Sequence, residues 1–163
     1  MALAASRWLF LLAGFGGLLL MAGALYLEHG VGLQPCPMCI VQRLFVILFV
    51  LVCLAAAIHG PQRFGRRIYA LLTLLFAAAG AGTAARQVWL QNVPVDQLGS
   101  CSPSLDFMLA SMSLSEVVGL LWQGTAGCAS VTWTLFGMSV PEWSLLAFVG
   151  MILFSLLQLL RRH

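Results

Sequence analysis

The sequence predicts an all-α integral membrane protein, a bundle of four transmembrane helices with two outer loops. Its composition is 61% hydrophobic and only 8% charged, whereas about a quarter of the residues in soluble domains are charged. A soluble fold of this size has too little interior to bury so much apolar surface. The apolar residues also fall into four long runs, with most of the charged residues between them. These observations indicate a single membrane domain that spans residues 1–163.

Each of the four runs is long enough to cross a bilayer as a helix. The first, from Trp8 to Leu27, contains no charged residue and would be about 30 Å long, which matches the hydrocarbon thickness. The second is broken only by Gln42 and Arg43 near its start. Trp143 before the fourth run and Arg161 after it are typical interfacial anchors. The predicted spans are about 8–27, 40–58, 68–85 and 144–160.

Charged residues are sorted between the two sides of the predicted bundle. The charged residues of the two tails and of the loop at about 59–67 are all basic, namely Arg7, Arg63, Arg66, Arg67, Arg161 and Arg162. The loops at about 28–39 and 91–143 contain all the acidic residues, namely Glu28, Asp96, Asp106, Glu116 and Glu142. Because arginine is retained on the cytoplasmic side, both termini are predicted to be cytoplasmic and both acidic loops to be outside.

The first run also has some features of a cleaved signal peptide. Arg7, the apolar stretch and Ala22-Gly23-Ala24 fit that pattern, although the run is longer than the usual apolar region of a signal. Cleavage there would leave the orientation of the later spans unchanged.

Four of the five cysteines fall in the predicted outer loops, where an oxidising compartment allows disulfides to persist. Cys36 and Cys39 form a CxxC pair, and Cys101 and Cys128 lie in the second loop. Closing the segment from Cys101 to Cys128 would remove about 3.6 kcal/mol of unfolded-chain entropy, against about 1.9 kcal/mol for the CxxC pair. A CxxC disulfide stabilises a fold only weakly, and its usual role is thiol–disulfide exchange. Cys53, inside the second span, is predicted to be a buried apolar residue.

Arg43 is a permanent cation at the start of an apolar run. On a helix, Cys39 and Arg43 are four residues apart and share one face, about 6 Å apart along the axis. A guanidinium there favours a thiolate at Cys39 and offers donors to an anionic or carbonyl-bearing ligand. Because a charge inside the apolar zone is costly, Arg43 is a candidate functional residue. The alternative is that its side chain simply extends to the outer headgroups.

The electron acceptor of such a thiol pair must be able to reach the membrane surface. The sequence contains no GxGxxG stretch for a dinucleotide and no pattern of intramembrane histidine pairs for haem. A lipid-soluble quinone can diffuse to this depth. The sequence therefore predicts a membrane quinone as the acceptor, with the lipid bilayer as surroundings, and we expect neither a metal site nor a nucleic-acid partner.

The second outer loop is predicted to lie on the membrane. Ser113-Leu114-Ser115-Glu116 has the pattern of a capping box and opens the apolar stretch 117–122. Together with apolar residues in 105–112, this pattern predicts one or two short interfacial helices. They would hold Cys101 and Cys128 close to the level of Cys36. The alternative is an ordinary outer cap with a structural disulfide.

The sequence resembles the DsbB family of bacterial disulfide-bond oxidoreductases over nearly its whole length. The matching segments are PCPMCIVQR at the second span, RQVWLQ at 86–91, CSPSLDFM at 101–108, and GCASVTWTLFGMSVPEWS ending at Ser144. The resemblance implies a four-helix protein of the bacterial inner membrane. Such a protein reoxidises DsbA, a periplasmic thioredoxin-fold protein, and passes the electrons to ubiquinone or menaquinone.

The resemblance also implies a role for each outer cysteine. The DsbA thiolate would attack Cys101 and form a transient mixed disulfide. Cys128, freed by this attack, would then attack the disulfide of Cys36 and Cys39 at Cys36. Cys39 would remain as the thiolate that faces the quinone, with Arg43 stabilising the thiolate and the quinone charge.

Arg86 and Gln87 are further candidates for quinone binding. Some members of the family have a histidine near the quinone at about the position of Gln87, so the role of that histidine does not transfer to this chain. Gln87 has an amide that can donate a hydrogen bond to a quinone carbonyl. The alternative is that Arg86 and Gln87 simply end a helix at the interface.

Three other functions compete with a dithiol:quinone oxidase. A membrane scaffold braced by disulfides would leave Arg43 unexplained. A zinc site formed by Cys36, Cys39, Cys101 and Cys128 is disfavoured, because the last two are much farther apart than the two to four residues typical of zinc ligands. A quinone-reducing enzyme of the vitamin K epoxide reductase type would carry its CxxC at a late helix, whereas here the CxxC opens the second.

Overall fold

Four long helices account for most of the described structure. The computed structural model describes residues 2–33, 35–94, 110–113, 115–116, 119 and 133–161. The helices are α1 (Ala2–His29), α2 (Pro37–His59), α3 (Arg63–Leu90) and α4 (Val140–Leu160). All four are long and apolar enough to cross a membrane. The predicted fold class, a membrane protein with four helical spans, is confirmed.

Local sequence signals set the ends of α2. Pro37 occupies the first turn, where its missing N–H is no loss and its fixed φ suits a helix. Gly60 ends the helix in the left-handed conformation, with φ of 57°. Arg7 of α1 then binds two of the last carbonyls, through Nε to Ala57 O at 2.9 Å and Nη2 to Ile58 O at 3.1 Å. A cation at this point also complements the helix dipole.

A capping box starts α4 before the predicted span begins. The Ser139 backbone N–H and hydroxyl both donate to Glu142, at 2.5 and 2.9 Å, and Pro141 lies in the first turn. The helix therefore begins at Val140 rather than near Ser144. A two-stranded hairpin precedes it, in which β1 (Thr134–Leu135) pairs antiparallel with β2 (Met138–Ser139). Its turn residues, Phe136 and Gly137, both have positive φ, as a type I′ hairpin turn requires.

The helices pack in chain order around an aromatic and small-residue core. Each of α1–α2, α2–α3 and α3–α4 makes an extensive interface, whereas α1 and α4 touch only slightly. Phe10, Phe49 and Phe148 are almost fully buried, and Phe154 meets Phe10 edge-on at a ring distance of 5.6 Å. Large apolar side chains on the outer surface are exposed, as expected where the solvent is lipid, including Leu12, Phe15, Leu51, Leu75 and Leu153.

The end of the bundle where α1 and α3 finish and α2 and α4 begin is called the cysteine end. The opposite end carries Arg7, Arg66 and Arg67 and is called the arginine end. Cys101, Cys128 and most of the predicted interfacial helices lie outside the described residues. At the predicted capping box, the Ser113 backbone N–H donates to Glu116 at 2.9 Å and the Ser113 hydroxyl donates at 2.8 Å. These hydrogen bonds hold the pKa of the Glu116 carboxyl below its ordinary value.

Close packing of α3 on α4 depends on Gly80. A Cβ added at Gly80 would overlap the buried ring of Phe148. We expect Gly80→Ala to lower the free energy of unfolding by about 1–3 kcal/mol, the usual cost of overpacking. Thermal unfolding in detergent measures this loss. Gly82→Ala is the matched control on the same helix, because its Cβ would meet nothing within 4 Å. Equal unfolding midpoints for the two variants would contradict this account of the interface.

Candidate active site

Cys36 and Cys39 lie together at the start of α2. Cys36 is the N-cap residue, and its sulfur takes the place that a serine hydroxyl often fills, accepting the Cys39 backbone N–H at 3.4 Å. The two Sγ atoms are 3.0 Å apart. Both side chains are half-buried. A helix N-terminus favours negative charge, so this position suits a pair of thiols that react as thiolates.

Gln87 connects α3 to both sulfurs. Its Nε2 lies 3.2 Å from Cys36 Sγ and 3.4 Å from Cys39 Sγ. On the other side of the same amide, Gln87 Oε1 accepts a hydrogen bond from Gln42 Nε2 at 2.7 Å. Gln87 and Gln42 are both buried. Gln87 Oε1 also lies 3.8 Å from Cys39 Sγ, where it can accept the thiol proton. The residue predicted as a quinone ligand therefore contacts both sulfurs, most closely through its donor group.

Arg43 follows Cys39 by one helical turn but reaches towards α1. Its guanidinium forms an ion pair with Glu28 through Nη1, and Nη2 donates to Ala24 O at 3.3 Å. Both side chains remain partly accessible. The pair joins the cysteine ends of α1 and α2, and it balances a charge that would be costly alone near the hydrocarbon.

Arg86 occupies a different position from the other candidates. Its guanidinium lies over the Trp89 ring, 4.2 Å from the centroid, in a cation–π contact along α3. Within the described residues, Arg86 does not line the cavity next to the thiols, whereas Cys36, Cys39, Arg43 and Gln87 all do.

A cavity of about 810 Å³ lies beside the thiol pair, in the gap between α1 and α4. One wall is the second half of α1, from Leu19 to Glu28, and the facing wall is the first half of α4, from Val140 to Met151. Most of the lining is apolar. The part lined by α2 and α3, here called the floor, is mostly polar and consists of Cys36, Cys39, Gln42, Arg43, Val46, Gln87 and Gln91. Glu28, Ser139 and Ser144 add polar groups elsewhere in the lining. The cavity can therefore take an apolar molecule whose polar end meets the thiols.

Sequence reasoning did not assign a role to Gln42, Glu28 or Ser139. Gln42 was visible only as a polar break in an apolar run, which is a signal that a buried partner exists but does not say which one. Glu28 had no neighbour in sequence that identified Arg43 as its partner. Ser139 belongs to an S-x-x-E pattern, so its capping role was readable. Its hydroxyl also contacts Gln91 Oε1 at 3.1 Å, which joins α4 to α3.

The part of the chain that the structure describes contains no group of three or more histidine, cysteine, aspartate or glutamate side chains placed to hold a metal ion. Two of the four cysteines of the zinc hypothesis lie outside that part, so this finding does not test it.

The fold and the thiol pair define the class of protein: a multi-pass membrane protein with a CxxC pair beside a cavity between its helices. The family model for disulfide bond formation protein DsbB matches residues 6–158. The disulfide bond formation protein B of Stutzerimonas stutzeri (strain A1501) is 59% identical over 162 residues, which cover 99% of both chains. Disulfide bond formation protein B 1 of Pseudomonas aeruginosa shows the same identity and coverage.

A more distant relative extends the same match. Disulfide bond formation protein B 2 of Pseudomonas fluorescens (strain Pf0-1) is 44% identical over 162 residues, covering 99% of this chain and 88% of the relative. The chain therefore belongs to the DsbB family. Its activity is that of a membrane oxidoreductase in disulfide bond formation.

The burial of the cysteines predicts which of the described thiols react. In the reduced protein in lipid nanodiscs, N-ethylmaleimide is expected to modify Cys36 and Cys39 but not Cys53, whose side chain is 0% exposed. Cys53 should become reactive only after denaturation in sodium dodecyl sulfate. Mass spectrometry of the digested protein measures each site. Modification of Cys53 in the folded protein at the rate of Cys36 would contradict the burial described here.

Proposed function

We propose that the protein reoxidises a periplasmic DsbA-like thioredoxin-fold protein and passes the electrons to a membrane quinone, either ubiquinone or menaquinone. It would thereby sustain disulfide bond formation in secreted proteins. The observation that carries this proposal is the position of the 36/39 thiol pair at the floor of an apolar cavity between α1 and α4.

The cavity fits the chemistry of a quinone. Its volume of about 810 Å³ lies within the range of roughly 300–1,000 Å³ typical of sites for small molecules. A quinone has an apolar ring and tail together with carbonyl oxygens that accept hydrogen bonds. The apolar walls suit the ring, and the amide and guanidinium groups at the floor suit the carbonyls. Because α1 and α4 touch only slightly, the membrane plane offers a route of entry for such a substrate.

Electrons would pass through a series of exchange reactions and one oxidation. A thiolate of the reduced partner protein attacks the Cys101–Cys128 disulfide at Cys101, which forms a mixed disulfide and frees Cys128. Cys128 then attacks the Cys36–Cys39 disulfide at Cys36, which forms a Cys36–Cys128 bond and frees Cys39. The second thiol of the partner resolves the mixed disulfide and frees Cys101, and Cys101 attacks Cys128, which restores the outer disulfide and frees Cys36. Finally the 36/39 dithiol becomes a disulfide again, and its two electrons and two protons reduce the quinone to a quinol.

Cys39 and Arg43, at the floor of the cavity, have different proposed roles in the reduction of the quinone. Cys39 lies deeper along α2 than Cys36 and is the thiol assigned to the quinone. The ion pair with Glu28 places the Arg43 guanidinium at the cavity, and the pair as a whole has no net charge. During the reaction this guanidinium would stabilise negative charge on the thiolate and on the substrate oxygen. A part for Arg86 in quinone binding remains a prediction.

The proposed location is the bacterial inner membrane, with both termini in the cytoplasm. The distribution of charge supports it, because Arg7, Arg66 and Arg67 lie at one end of the bundle while Glu28 and Glu142 lie at the other. In this orientation the thiol pair faces the periplasm, where the partner protein would be found.

Quinone absorbance tests the proposed reaction. Purified, quinone-loaded protein is mixed with a reduced DsbA-type protein, and quinone reduction is followed over time. Intact protein should reduce the quinone, and Cys39→Ser should abolish the reaction. Arg43→Met should slow it about 10–100-fold, because charge-assisted hydrogen bonds contribute about 1.5–3 kcal/mol. Arg67→Met is the control for loss of a positive charge, since Arg67 is exposed at the arginine end and should retain full activity.

Two results would contradict the proposal. Failure of the intact protein to reduce quinone with several DsbA-type donors would favour the disulfide-braced scaffold instead. Full activity of Cys39→Ser would show that electrons leave through another group.

A further inference from the structure

Gln42 is a buried polar side chain to which the proposed reaction assigns no role. It is 5% exposed, on the stretch of α2 that follows the CxxC pair. Burying an amide is costly unless it is hydrogen-bonded. Gln42 satisfies this need through one short contact across the helix interface, from its Nε2 to Gln87 Oε1 at 2.7 Å. A leucine at this position would suit an apolar interface equally well, so the amide calls for an explanation.

The amide of Gln87 has two chemically different sides, and its orientation determines what the sulfurs meet. The NH2 group only donates hydrogen bonds and the oxygen only accepts them. In the observed orientation the NH2 group is the part of the amide closest to both sulfurs, at 3.2 and 3.4 Å. The oxygen accepts from Gln42 at 2.7 Å and lies farther from Cys39 Sγ, at 3.8 Å. A donor favours the thiolate form of a cysteine, whereas an acceptor favours the protonated thiol.

We propose that Gln42 is a positioning residue: it fixes the amide of Gln87 so that its NH2 group lies towards Cys36 and Cys39 and favours their thiolate form. If Gln87 turned alone, two NH2 groups would meet, and the contact with Gln42 would be lost. Gln42 acts only through Gln87. The inference rests on the proposed function in one respect, namely that the 36/39 pair is the electron donor.

Charged groups lie at the cysteine end of all four helices. On α1 and α2, Glu28 and Arg43 are paired with each other. On α3, the Arg86 guanidinium stacks on Trp89. On α4, Glu142 accepts hydrogen bonds from Ser139. The Gln87 amide differs from these groups because it is neutral and lies within hydrogen-bond distance of both sulfurs.

A double-mutant cycle tests whether Gln42 acts through Gln87. Methionine matches glutamine in length and flexibility, so Gln42→Met, Gln87→Met and the double variant remove the amides without leaving large cavities. The rate of alkylation of Cys36 and Cys39 by iodoacetamide follows the thiolate fraction. It is measured in the reduced full-length protein in nanodiscs at pH 7 by mass spectrometry. Neither quinone nor partner protein is present, so the result is independent of the proposed electron transfer.

Each single variant is expected to react about tenfold more slowly than the intact protein, because hydrogen bonds to charged groups are typically strong enough for an effect of this size. The double variant should react no more slowly than Gln87→Met, since Gln42 has no effect once Gln87 is gone. At a pH high enough to deprotonate every thiol, the variants should react at least as fast as the intact protein, because a thiolate of higher pKa is the stronger nucleophile. Slower reaction of the variants at that pH would indicate altered access and would overturn the proposal. Additive effects at pH 7, or no effect of Gln42→Met, would also overturn it.

A further variant controls for the loss of a buried amide. Gln158→Met is the matched control: Gln158 is a glutamine on α4 that is 1% exposed and lies outside the cavity lining. Its alkylation rate should equal that of the intact protein.

Discussion

The candidate redox site depends on the hydrogen bonds that hold α2 and α3 together at the cysteine end of the bundle. In a lipid-facing bundle, each buried polar group must find its partner inside the protein. Gln42, Gln87 and the sulfurs of Cys36 and Cys39 meet this requirement among themselves. The thiols are thereby fixed at the floor of the cavity, while the loose contact between α1 and α4 leaves the space above them open. The contact between α2 and α3 thus holds the thiols in place, whereas the gap between α1 and α4 gives a substrate access to them.

The fold class follows from the sequence because the membrane imposes it. Long apolar runs and sorted arginines admit few solutions other than four spans. Helix ends were harder to predict, since they depend on local hydrogen bonds: α4 begins at Val140 because Ser139 and Glu142 cap it. The hairpin before α4 has strands of two residues, too short for an alternating pattern, and its turn is Phe136-Gly137 rather than the commoner Asn-Gly.

Only part of the site could be read from the sequence, since its geometry arises where helices meet. The position of Cys39 and Arg43 on successive turns of one helix follows from their spacing. The partner of Arg43 does not, because Glu28 reaches it only after α1 docks on α2. Likewise, Gln87 was predicted to serve the quinone, but its contacts with both sulfurs and with Gln42 depend on how α3 packs against α2. The pairing of Cys101 with Cys128 remains a prediction.

The central claim is that a quinone binds in the cavity between α1 and α4, and photolabelling tests it most directly. A photoactivatable ubiquinone analogue is added to the protein in nanodiscs, and labelled residues are mapped by mass spectrometry. Labels are expected within 19–28 and 140–151, and excess ubiquinone should remove them. Leu75 and Leu153 are exposed apolar residues outside the cavity that report non-specific partition into lipid. Labels concentrated on such residues, unaffected by excess ubiquinone, would contradict the account.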